Sequence, residues 1–447
     1  NQADVTTAFL YGDIDGEIFL RPPEPYYRRG CVWKLNKSLY GLKQSPRCWS
    51  LKLNQLLQEL GFYPTKSDRC LFVRKGAQPA YILVYVDDLL IAAKDQSTIK
   101  EILDRLSRQV KTKDLGPIGT FLGINFSRVD QDIIKASQAR YIEELAMEFK
   151  VTDANPLTKL PSLDVELLDQ QPVDEEVPYR SLLGGLLYIA SMTRPDIAAA
   201  VSYLSRYCDK PSRMAWRLAK QVLNYLRFTK DKCLLLGRLD NSGLVTYADA
   251  NFAPAGDRKS QSGAVFKLAG STIGWMSKKQ KTVSTSTTEA EIIALSMATS
   301  ETLWLQNLLA EMNLSIELPT KILEDNQPVL AIVKNQRNPG LVKHLDVKHH
   351  AIGDYVLRGL IDVVYTPSRL QLADCLTKVT NDSSLADQIL GLRNRGVCPM
   401  MRFPRLEGAI KLCEECLPND RDAQYSTECR RYCYSMPDYR RCRLPLL

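Results

Sequence analysis

The apolar positions along the chain change their spacing several times, and each change predicts a different kind of element. Residues 1–112 mix short strand-like runs with one helix-like stretch, WSLKLNQLLQELGF. Breaks rich in Pro and Gly, RPPEPYYRRG and RKGAQP, separate these runs. Residues 113–160 hold a strand-like segment, TFLGINFSRV, and a helix-like one, SQARYIEELAMEF. The pattern therefore predicts mixed strands and helices for the first third of the chain.

The middle of the chain has the pattern of a helical region. Residues 161–178 are acidic and bounded by Pro, which is typical of a linker. After them, YRSLLGGLLYIASM and DIAAAVSYLSRY are separated by TRP, and RMAWRLAKQVLNYLRFTK follows with apolar residues at helical spacing. Residues 244–378 then alternate strand-like and helix-like runs, which predicts an α/β arrangement.

Composition narrows the class of protein without defining it. The 447 residues are 45% hydrophobic and 25% charged, an ordinary globular composition, and the length suggests about three domains. The net charge of +8 permits a polyanionic partner. No apolar stretch reaches the roughly 18 residues of a membrane span, so we expect no membrane partner. Because the N-terminus, NQADVTTAF, has neither a starting Met nor a signal peptide, we expect the chain to be a piece of something longer.

Two adjacent carboxylates interrupt an apolar run in YILVYVDDLLIAAK. Asp87 and Asp88 stand between two segments of strand composition, where a tight hairpin would turn. A hairpin tip could present both side chains to a cation such as Mg²⁺, and Asp4 could supply a bridge to a second ion. The alternative is a solvated turn with no ligand, which is the favoured interpretation of two Asp residues taken alone.

Three separated segments favour the cation site over the solvated turn. QADVTTAFLYGDIDGEIFLRPPE, KLNKSLYGLKQSPRCW and YVDDLLIA occur in this order, and together they resemble the reverse transcriptase of copia-type LTR retrotransposon Pol polyproteins. The resemblance continues to about residue 378. It implies an α+β polymerase palm, and it places the catalytic, metal-binding acids on Asp4, Asp87 and Asp88. It also implicates Tyr40 and Gly41 in binding nucleotide and template, and Phe9 as the steric gate against a ribose 2′-hydroxyl.

The chain departs from this family in two ways. Thr6 stands where a basic residue is usual, and we expect this to matter little because the position is not a metal ligand. The fingers region that would precede Asp4, with the basic residues that hold the triphosphate, is absent from the sequence. Polymerisation needs the triphosphate held in line, so we expect this chain to be a better nuclease than polymerase.

Four further acids occupy four local contexts in the α/β region. Asp249 ends a strand, Glu291 lies near the start of a long helix, Asp325 lies at a strand–helix junction, and Asp374 follows a loop. Such positions gather acids at one edge of a sheet, where they repel unless cations bind them. Ser286 and Glu289 fit a capping box, which gives Glu289 a structural role and leaves Glu291 as the metal ligand.

The same region resembles the ribonuclease H domain that follows the polymerase in copia-type elements. The resemblance rests on DRKSQSGAVFKLAGSTIGWMSKKQKTVSTSTTEAEIIAL, EDNQPVLAI, KHLDVKHH and QLADCLTK. It implies an α/β domain with a mixed sheet, and it places the catalytic, metal-binding acids on Asp249, Glu291, Asp325 and Asp374. Asn251 stands where the family often has a second Asp, and we expect it to be tolerated.

Basic residues next to these acids are candidates for nucleic-acid contacts. Lys278, Lys279 and Lys281 would suit a phosphate backbone, and the neighbouring Trp275 would suit a stacked base. Without the resemblance, a solvated strand end explains this run about equally well.

The C-terminal tail carries clustered cysteines. Cys413, Cys416, Cys429 and Cys433 have the spacing C-x2-C-x12-C-x3-C, which resembles structural zinc sites. Few apolar residues surround them, so an irregular extension without zinc is the favoured interpretation.

These observations predict four parts. They are a reverse transcriptase palm without fingers (1–112), a helical thumb or connection (113–238), a ribonuclease H-like domain (239–378) and an irregular tail (379–447).

The predicted reactions are RNA- and DNA-directed DNA synthesis and hydrolysis of RNA in RNA–DNA hybrids, with Mg²⁺ or Mn²⁺. The predicted partners are RNA template, DNA primer, hybrid and deoxynucleoside triphosphates, inside the cell in a cytoplasmic virus-like particle or the nucleus. The alternative is a non-enzymatic nucleic-acid-binding remnant of a retroelement.

Overall fold

The computed structural model describes residues 1–152, 154–161, 172, 177–254, 257–335, 343–379 and 383–392, and within them it contains three sheets of four or more strands. The first part of the chain forms a six-stranded antiparallel sheet in the order β4-β5-β6-β7-β1-β8. The elements of this part, in chain order, are β1 Gln2–Val5, β2 Phe19–Leu20, β3 Trp33–Lys34, α1 Ser45–Glu59, β4 Tyr63–Pro64, β5 Leu71–Arg74, β6 Ala80–Tyr85, β7 Asp88–Ala93, α2 Gln96–Ser107 and β8 Thr112–Gly116.

The predicted hairpin around the two adjacent acids is present. Tyr85 and Asp88 face each other across β6 and β7, which leaves Val86 and Asp87 as the turn. Alternate residues such as Ile82, Leu89 and Ile91 point into the core, where they meet helices α1 and α2. The sheet extends to Gly116 through β8, four residues beyond the predicted boundary of the palm at residue 112.

The middle region contains the predicted helices and also a sheet, of which the sequence pattern indicated only the strand-like segment TFLGINFSRV. A four-stranded antiparallel sheet has the order β12-β11-β10-β9. The elements are β9 Thr120–Phe121, β10 Ile124–Arg128, β11 Ile133–Ser137, α3 Ala139–Glu148, α4 Tyr179–Met192, α5 Ala198–Leu204, α6 Arg213–Phe228 and β12 Leu234–Gly237. The strand β12 joins after the intervening helices, a non-local pairing that no short sequence window encodes.

An ion pair buried in the apolar interior organises these helices. Arg194 and Asp196 are almost completely buried, and Nε and Nη2 of Arg194 donate to the two carboxylate oxygens of Asp196 at 2.8 and 2.7 Å. The same guanidinium donates to the carbonyl oxygen of Thr229 at 2.9 Å. Its bidentate geometry satisfies groups that would otherwise be costly to bury, and it ties the segment before α5 to the end of α6.

The α/β region forms a five-stranded sheet in the order β15-β14-β13-β16-β17. The strands β13, β14 and β15 are antiparallel, whereas β16 and β17 run parallel to β13, which confirms the predicted mixed sheet. The elements are β13 Leu244–Asn251, β14 Gln261–Leu268, β15 Ser271–Lys279, α7 Thr287–Glu311, β16 Thr320–Glu324, α8 Gln327–Asn335, α9 Lys343–Leu357, β17 Ile361–Tyr365 and α10 Asp374–Thr377.

One apolar core joins the helical region to the α/β region. Leu186, Val201 and Leu223 of the helices share a buried cluster with Val265 of β14 and Leu376 of α10. The two regions are therefore packed together on one side of the five-stranded sheet.

Part of the predicted tail is a helix, so the prediction of an irregular structure is wrong for residues 383–389. Helix α11, Ser383–Ile389, buries Leu385 and Ile389 in the shared core. The backbone N–H of Leu235 donates to the carbonyl oxygen of Leu390 at 3.0 Å. Among the residues that the structure describes, no helix is both long and apolar enough to cross a membrane.

Candidate functional site

Sheet topology brings two of the four predicted acids to the same edge of the five-stranded sheet. Strands β13 and β16 are parallel, and Tyr247 pairs with Leu323. Asp249 and Asp325 each follow that pair by two residues, so both lie at the carboxyl ends of neighbouring strands. Glu291 faces them from the second turn of α7, which packs on β13.

These three acids form a compact cluster. One carboxylate oxygen from each of Asp249, Glu291 and Asp325 lies within 4.8 Å of the others. Asp249 and Glu291 are buried, whereas Asp325 is partly exposed. The cluster therefore has a closed inner side and an open outer side, which a ligand could approach from solvent.

Asp374 lies next to this cluster as the first residue of α10. Its Oδ1 accepts a hydrogen bond from Lys378 Nζ at 2.6 Å. Its charge is one of the causes that raise the pKa of Asp249. Asp374 is therefore close enough to act on the cluster electrostatically, although its oxygens are not within the group of three.

The electrostatics of the cluster favour a bound cation. Burial, followed by the charges of neighbouring acids, raises the pKa of Asp249 to about 6 even though Thr377 donates a hydrogen bond to it. Burial and the charge of Glu324 raise the pKa of Glu291 as well. The Oε2 atoms of Glu291 and Glu324 are buried and without a hydrogen-bond partner. Such carboxylate oxygens fit a hard divalent cation, which would displace the protons that burial otherwise favours.

Glu324 is a buried acid that the sequence analysis missed. It is fully buried at the end of β16, and burial raises its pKa well above the ordinary value. Its Oε1 accepts a hydrogen bond from the backbone N–H of Asn326 at 3.0 Å. The strand pattern could have revealed it, because every second residue of β16 is buried, namely Thr320, Ile322 and Glu324.

Gln371 is a second residue that sequence reasoning missed. Its Nε2 donates to the carbonyl oxygen of Ala248 at 2.8 Å and to that of Leu323 at 3.2 Å. These carbonyls belong to β13 and β16, directly before Asp249 and Glu324. The fully buried amide therefore ties together the two strand ends that carry the acids.

The start of α7 gives Glu289 the structural role predicted for it, whereas the role of Glu291 as a metal ligand stays a prediction. Ser286 Oγ accepts from the backbone N–H of Glu289 at 3.1 Å, and Glu289 Oε2 accepts from the N–H of Thr285 at 2.7 Å. The carboxylate of Glu289 is thus committed to the helix cap.

The three acids predicted for the polymerase site also lie near one another. Asp4 and Asp88 are partners across the antiparallel pair β1–β7, and the backbone N–H of Val5 donates to the carbonyl oxygen of Asp87 at 2.9 Å. Burial, then the charges of Asp87 and Asp4, raise the pKa of Asp88. Among the described residues these acids do not form a group with oxygens all within 4.8 Å, so a shared cation stays a prediction.

The turn that carries Asp87 has an unusual backbone. Val86 has a φ of 58°, the left-handed region that a β-branched residue rarely adopts. Trp49 Nε1 donates to the carbonyl oxygen of Val86 at 2.7 Å and holds the turn in place. Backbone strain of this kind occurs often at functional sites, where the surrounding structure maintains it.

The two aromatic residues predicted for the nucleotide site contact each other. The rings of Phe9 and Tyr40 pack with their centroids 4.8 Å apart. Gly41 follows with a φ of 94°, a conformation in which a side chain would be strained. Tyr40 is exposed, so the pair presents an aromatic surface to solvent.

The lysines near the nuclease acids and the neighbouring Trp275 lie in three different environments. Lys278 and Lys281 are exposed, whereas Lys279 forms an ion pair with Asp257. Trp275 Nε1 donates to the carbonyl oxygen of Ala190 at 2.7 Å, and its ring packs against the shared core. Trp275 thus has a packing role, and its stacking on a base stays a prediction.

The four clustered cysteines, Cys413, Cys416, Cys429 and Cys433, lie outside the described residues.

Comparison with known proteins links the chain to retrotransposons. Residues 1–163 match the family model for reverse transcriptase (RNA-dependent DNA polymerase). The retrovirus-related Pol polyprotein from transposon TNT 1-94 of Nicotiana tabacum is 36% identical over 410 residues, which cover 88% of this chain and 31% of that polyprotein. A transposon Ty5-1 protein of Saccharomyces cerevisiae is 34% identical over 307 residues, which cover 67% of this chain and 99% of the yeast protein. The chain thus spans about a third of the tobacco polyprotein.

Solved structures with some likeness to the chain are more distant. A foamy viral protease-reverse transcriptase in complex with RNA/DNA hybrid shares 14% identity, with a TM-score of 0.47, and the match covers 82% of this chain and 44% of that one. LC11-RNase H1 in complex with RNA/DNA hybrid shares 18% identity, with a TM-score of 0.24, over 32% of this chain and 99% of that one.

Proposed function

The chain belongs to the Pol polyproteins of copia-type LTR retrotransposons, and from this premise we propose that it is a replication enzyme with a nuclease site and a polymerase site. The nuclease site hydrolyses the RNA strand of RNA–DNA hybrids. One observation carries this proposal above the others: the oxygens of Asp249, Glu291 and Asp325 lie within 4.8 Å of one another at an open sheet edge.

The nuclease residues divide into ligands and supports. Asp249, Glu291, Asp325 and Asp374 would hold Mg²⁺ or Mn²⁺. Bound ions would supply an activated water and stabilise the leaving oxygen of the phosphodiester. Thr377 holds one oxygen of Asp249 with a hydrogen bond of 2.5 Å, and Lys378 pairs with Asp374. Supports of this kind orient carboxylate ligands and fix which oxygen faces the ion.

The hybrid would approach from the exposed side of the cluster. Asp325 and Asp374 are partly exposed there. Lys278 lies near the end of β15 and Lys281 follows that strand. Both are exposed and can contact backbone phosphates, whereas Lys279 is engaged by Asp257. We assign Lys278 and Lys281 to binding and expect them to contribute affinity without selecting sequence.

The polymerase site is proposed at the tip of the β6–β7 hairpin. Asp4, Asp87 and Asp88 would hold the ions, and an ion would draw together oxygens that now repel. Phe9 would exclude a ribose 2′-hydroxyl beside Tyr40 and Gly41. The partners are an RNA or DNA template, a DNA primer and deoxynucleoside triphosphates.

Substrate choice tests this proposal. Purified chain is incubated with Mg²⁺ and an end-labelled RNA–DNA hybrid, with double-stranded RNA and DNA of the same sequence as comparison substrates. We expect cleavage of the RNA strand of the hybrid alone, loss of cleavage in Asp249→Asn, and retention in Asp362→Asn, a partly exposed acid on the same sheet. Equal cleavage by wild type and Asp249→Asn would contradict the assigned site.

Primer extension on the same preparation tests the second site. We expect extension to be weaker than cleavage, because three of the four acids of the nuclease site already form a group and those of the polymerase site do not. Robust extension without cleavage would reverse this ranking. Absence of both activities would favour a non-enzymatic nucleic-acid-binding remnant.

A further inference from the structure

A buried tyrosine from the helical region contacts the structure that holds the nuclease acids. Tyr203 lies in α5 and is 2% exposed. Its hydroxyl donates to the carbonyl oxygen of Thr377 at 3.0 Å. Thr377 is the last residue of α10, and carbonyls at the end of a helix have no partner within the helix. Tyr203, together with Asn251 Nδ2 at a longer 3.4 Å, therefore satisfies a group that α10 cannot satisfy itself.

Thr377 connects this contact to the acid cluster. Its hydroxyl donates to Asp249 Oδ2 at 2.5 Å and also lies 3.0 Å from the carbonyl oxygen of Asp374. The four-residue helix α10 thus begins with one predicted ligand and ends with a hydrogen bond to another. A displacement of α10 would move both Asp374 and the Thr377 hydroxyl that holds Oδ2 of Asp249.

The ring of Tyr203 is itself held in one orientation. The guanidinium carbon of Arg206 lies 4.4 Å from the ring centroid. Arg206 Nη2 donates to Gln261 Oε1 at 2.7 Å, and Gln261 Nε2 donates to Ser202 Oγ at 2.8 Å. Asn251 Nδ2 lies 3.4 Å from the phenol oxygen. These contacts fix the ring, so the phenol hydroxyl points at Thr377 without a large entropic cost.

We propose that Tyr203 is a positioning residue for the nuclease metal site, acting through Thr377 on Asp249. The proposal rests on the proposed nuclease function, because it assigns that site a support from outside residues 239–378. The metal site would then be complete only when the helical region is packed against the five-stranded sheet. Partners that orient a ligand are typically worth about 10–100-fold in metal affinity or activity.

The test measures metal affinity directly. Mn²⁺ is titrated into the purified full chain and the free ion is followed by electron paramagnetic resonance. A background with Asp87→Asn and Asp88→Asn removes the polymerase ligands from the measurement. Tyr203→Phe is compared with Tyr179→Phe, a matched control in which a buried tyrosine of the same helical region loses a bond to the carbonyl oxygen of Leu204 at 2.8 Å.

We expect Tyr203→Phe to weaken Mn²⁺ binding about tenfold. The Mg²⁺ concentration for half-maximal hybrid cleavage should rise by the same factor, and Tyr179→Phe should stay within about twofold of the parent. Mn²⁺ affinities of Tyr203→Phe and Tyr179→Phe that agree within about twofold would overturn the proposal.

A second pair of variants covers the case in which Tyr203→Phe does not fold. Thr377→Ser keeps the hydroxyl that reaches Asp249, and Thr377→Val removes it. If Thr377→Val binds Mn²⁺ more weakly and Thr377→Ser does not, the result supports the proposed action through Thr377 on Asp249. Equal binding in both variants overturns it. If the parent protein binds Mn²⁺ but cleaves no hybrid, the proposed nuclease function fails, and the affinities still decide the role of Tyr203.

Discussion

Glu324 is buried beside Glu291, and its negative charge is, after burial, the largest cause that raises the pKa of Glu291. One oxygen of each carboxylate is buried without a hydrogen-bond partner. Two buried carboxyl groups cannot both be ionised without a large cost unless a cation lies between or beside them. The pair therefore makes the fold of this domain sensitive to metal and to pH.

Replacement of Glu324 by Gln should stabilise the protein when no metal is bound. At pH 8 the native state must either bury an ionised carboxylate or protonate a group that is ionised in the unfolded chain. Gln removes this cost while keeping the oxygen that accepts from Asn326. We expect the free energy of unfolding in EDTA to rise by roughly 2 kcal/mol. Urea denaturation measures it, with the exposed Glu317→Gln as a control expected within about 0.5 kcal/mol of wild type. A lower stability of Glu324→Gln would contradict the assigned cause.

Stability without metal should fall as the pH rises through about 6. The pKa of Asp249 is about 6 in the folded protein, above its ordinary value of 3.8, so folding takes up a proton. The resulting stabilisation is complete below roughly pH 4 and is lost as the pH rises through the folded pKa, by roughly 3 kcal/mol.

Thermal unfolding in EDTA between pH 4.5 and 8, beside the same series in Mg²⁺, measures this effect. Bound Mg²⁺ should reduce the fall, because the ion replaces the proton. Asp249→Asn should make the EDTA series less steep, and the remaining slope would come from the raised pKa values of Glu291 and Glu324. An EDTA series that is no steeper for wild type than for Asp249→Asn would be inconsistent with a buried, protonated Asp249.

Replacement of Phe9 by Val should relax discrimination against ribonucleotides. The Phe9 ring packs on Tyr40 at 4.8 Å, and a smaller side chain would leave room for a 2′-hydroxyl. Pocket changes of this size are worth about 10–200-fold in selectivity. The measurement is the ratio of deoxynucleotide to ribonucleotide incorporation in primer extension, with Tyr11→Phe as the aromatic control. Unchanged selectivity in Phe9→Val would remove Phe9 from the gate.

Glu311 should hold the polymerase sheet against the α/β domain. Its carboxylate accepts from the backbone N–H of Lys66 at 2.5 Å and from Ser67 Oγ at 3.0 Å, and Trp304 Nε1 donates to the carbonyl oxygen of Ser67. Glu311→Ala should lower the free energy of unfolding by only about 1 kcal/mol, because these hydrogen bonds are partly exposed to solvent. Hydrogen exchange should then increase in residues 65–71 and at the end of α7. In the control Glu301→Ala, an exposed residue of the same helix, exchange there should not change.

The sequence predicted the positions of the acids, but it did not predict the hydrogen bonds that support them. Asp249 and Asp325 could be found because each lies near the carboxyl end of a strand, and Glu289 could be separated from Glu291 because a cap has a local signature. Thr377 reaches Asp249 from 128 residues away, and Tyr203 reaches Thr377 from 174 residues away. No short pattern encodes such pairs, since they exist only after the sheet and helices have packed.

Amphipathic residues gave a different kind of error. Trp275 follows the sheet period and stands beside lysines, which suits a nucleic-acid surface. Its ring lies instead against the shared core, with the indole N–H bonded to Ala190. A tryptophan can satisfy either environment, and only the neighbouring helix decides between them.

Strand β12 shows a similar limit of local sequence patterns. It completes a sheet begun by β9 to β11 after the helices α3 to α6 intervene, which local periodicity cannot indicate.

The central claim is that the acids around Asp249 hold the metal that cleaves hybrids, and one paired measurement on Asp325→Asn tests it most directly. Cleavage of the RNA strand and binding of the same hybrid are measured on wild type and variant in Mg²⁺. We expect Asp325→Asn to lower the cleavage rate by at least about 10²-fold, because a ligand of the cluster is lost. Hybrid affinity should stay within about threefold, because Lys278 and Lys281 are untouched. Wild-type cleavage rates in the variant would contradict the account.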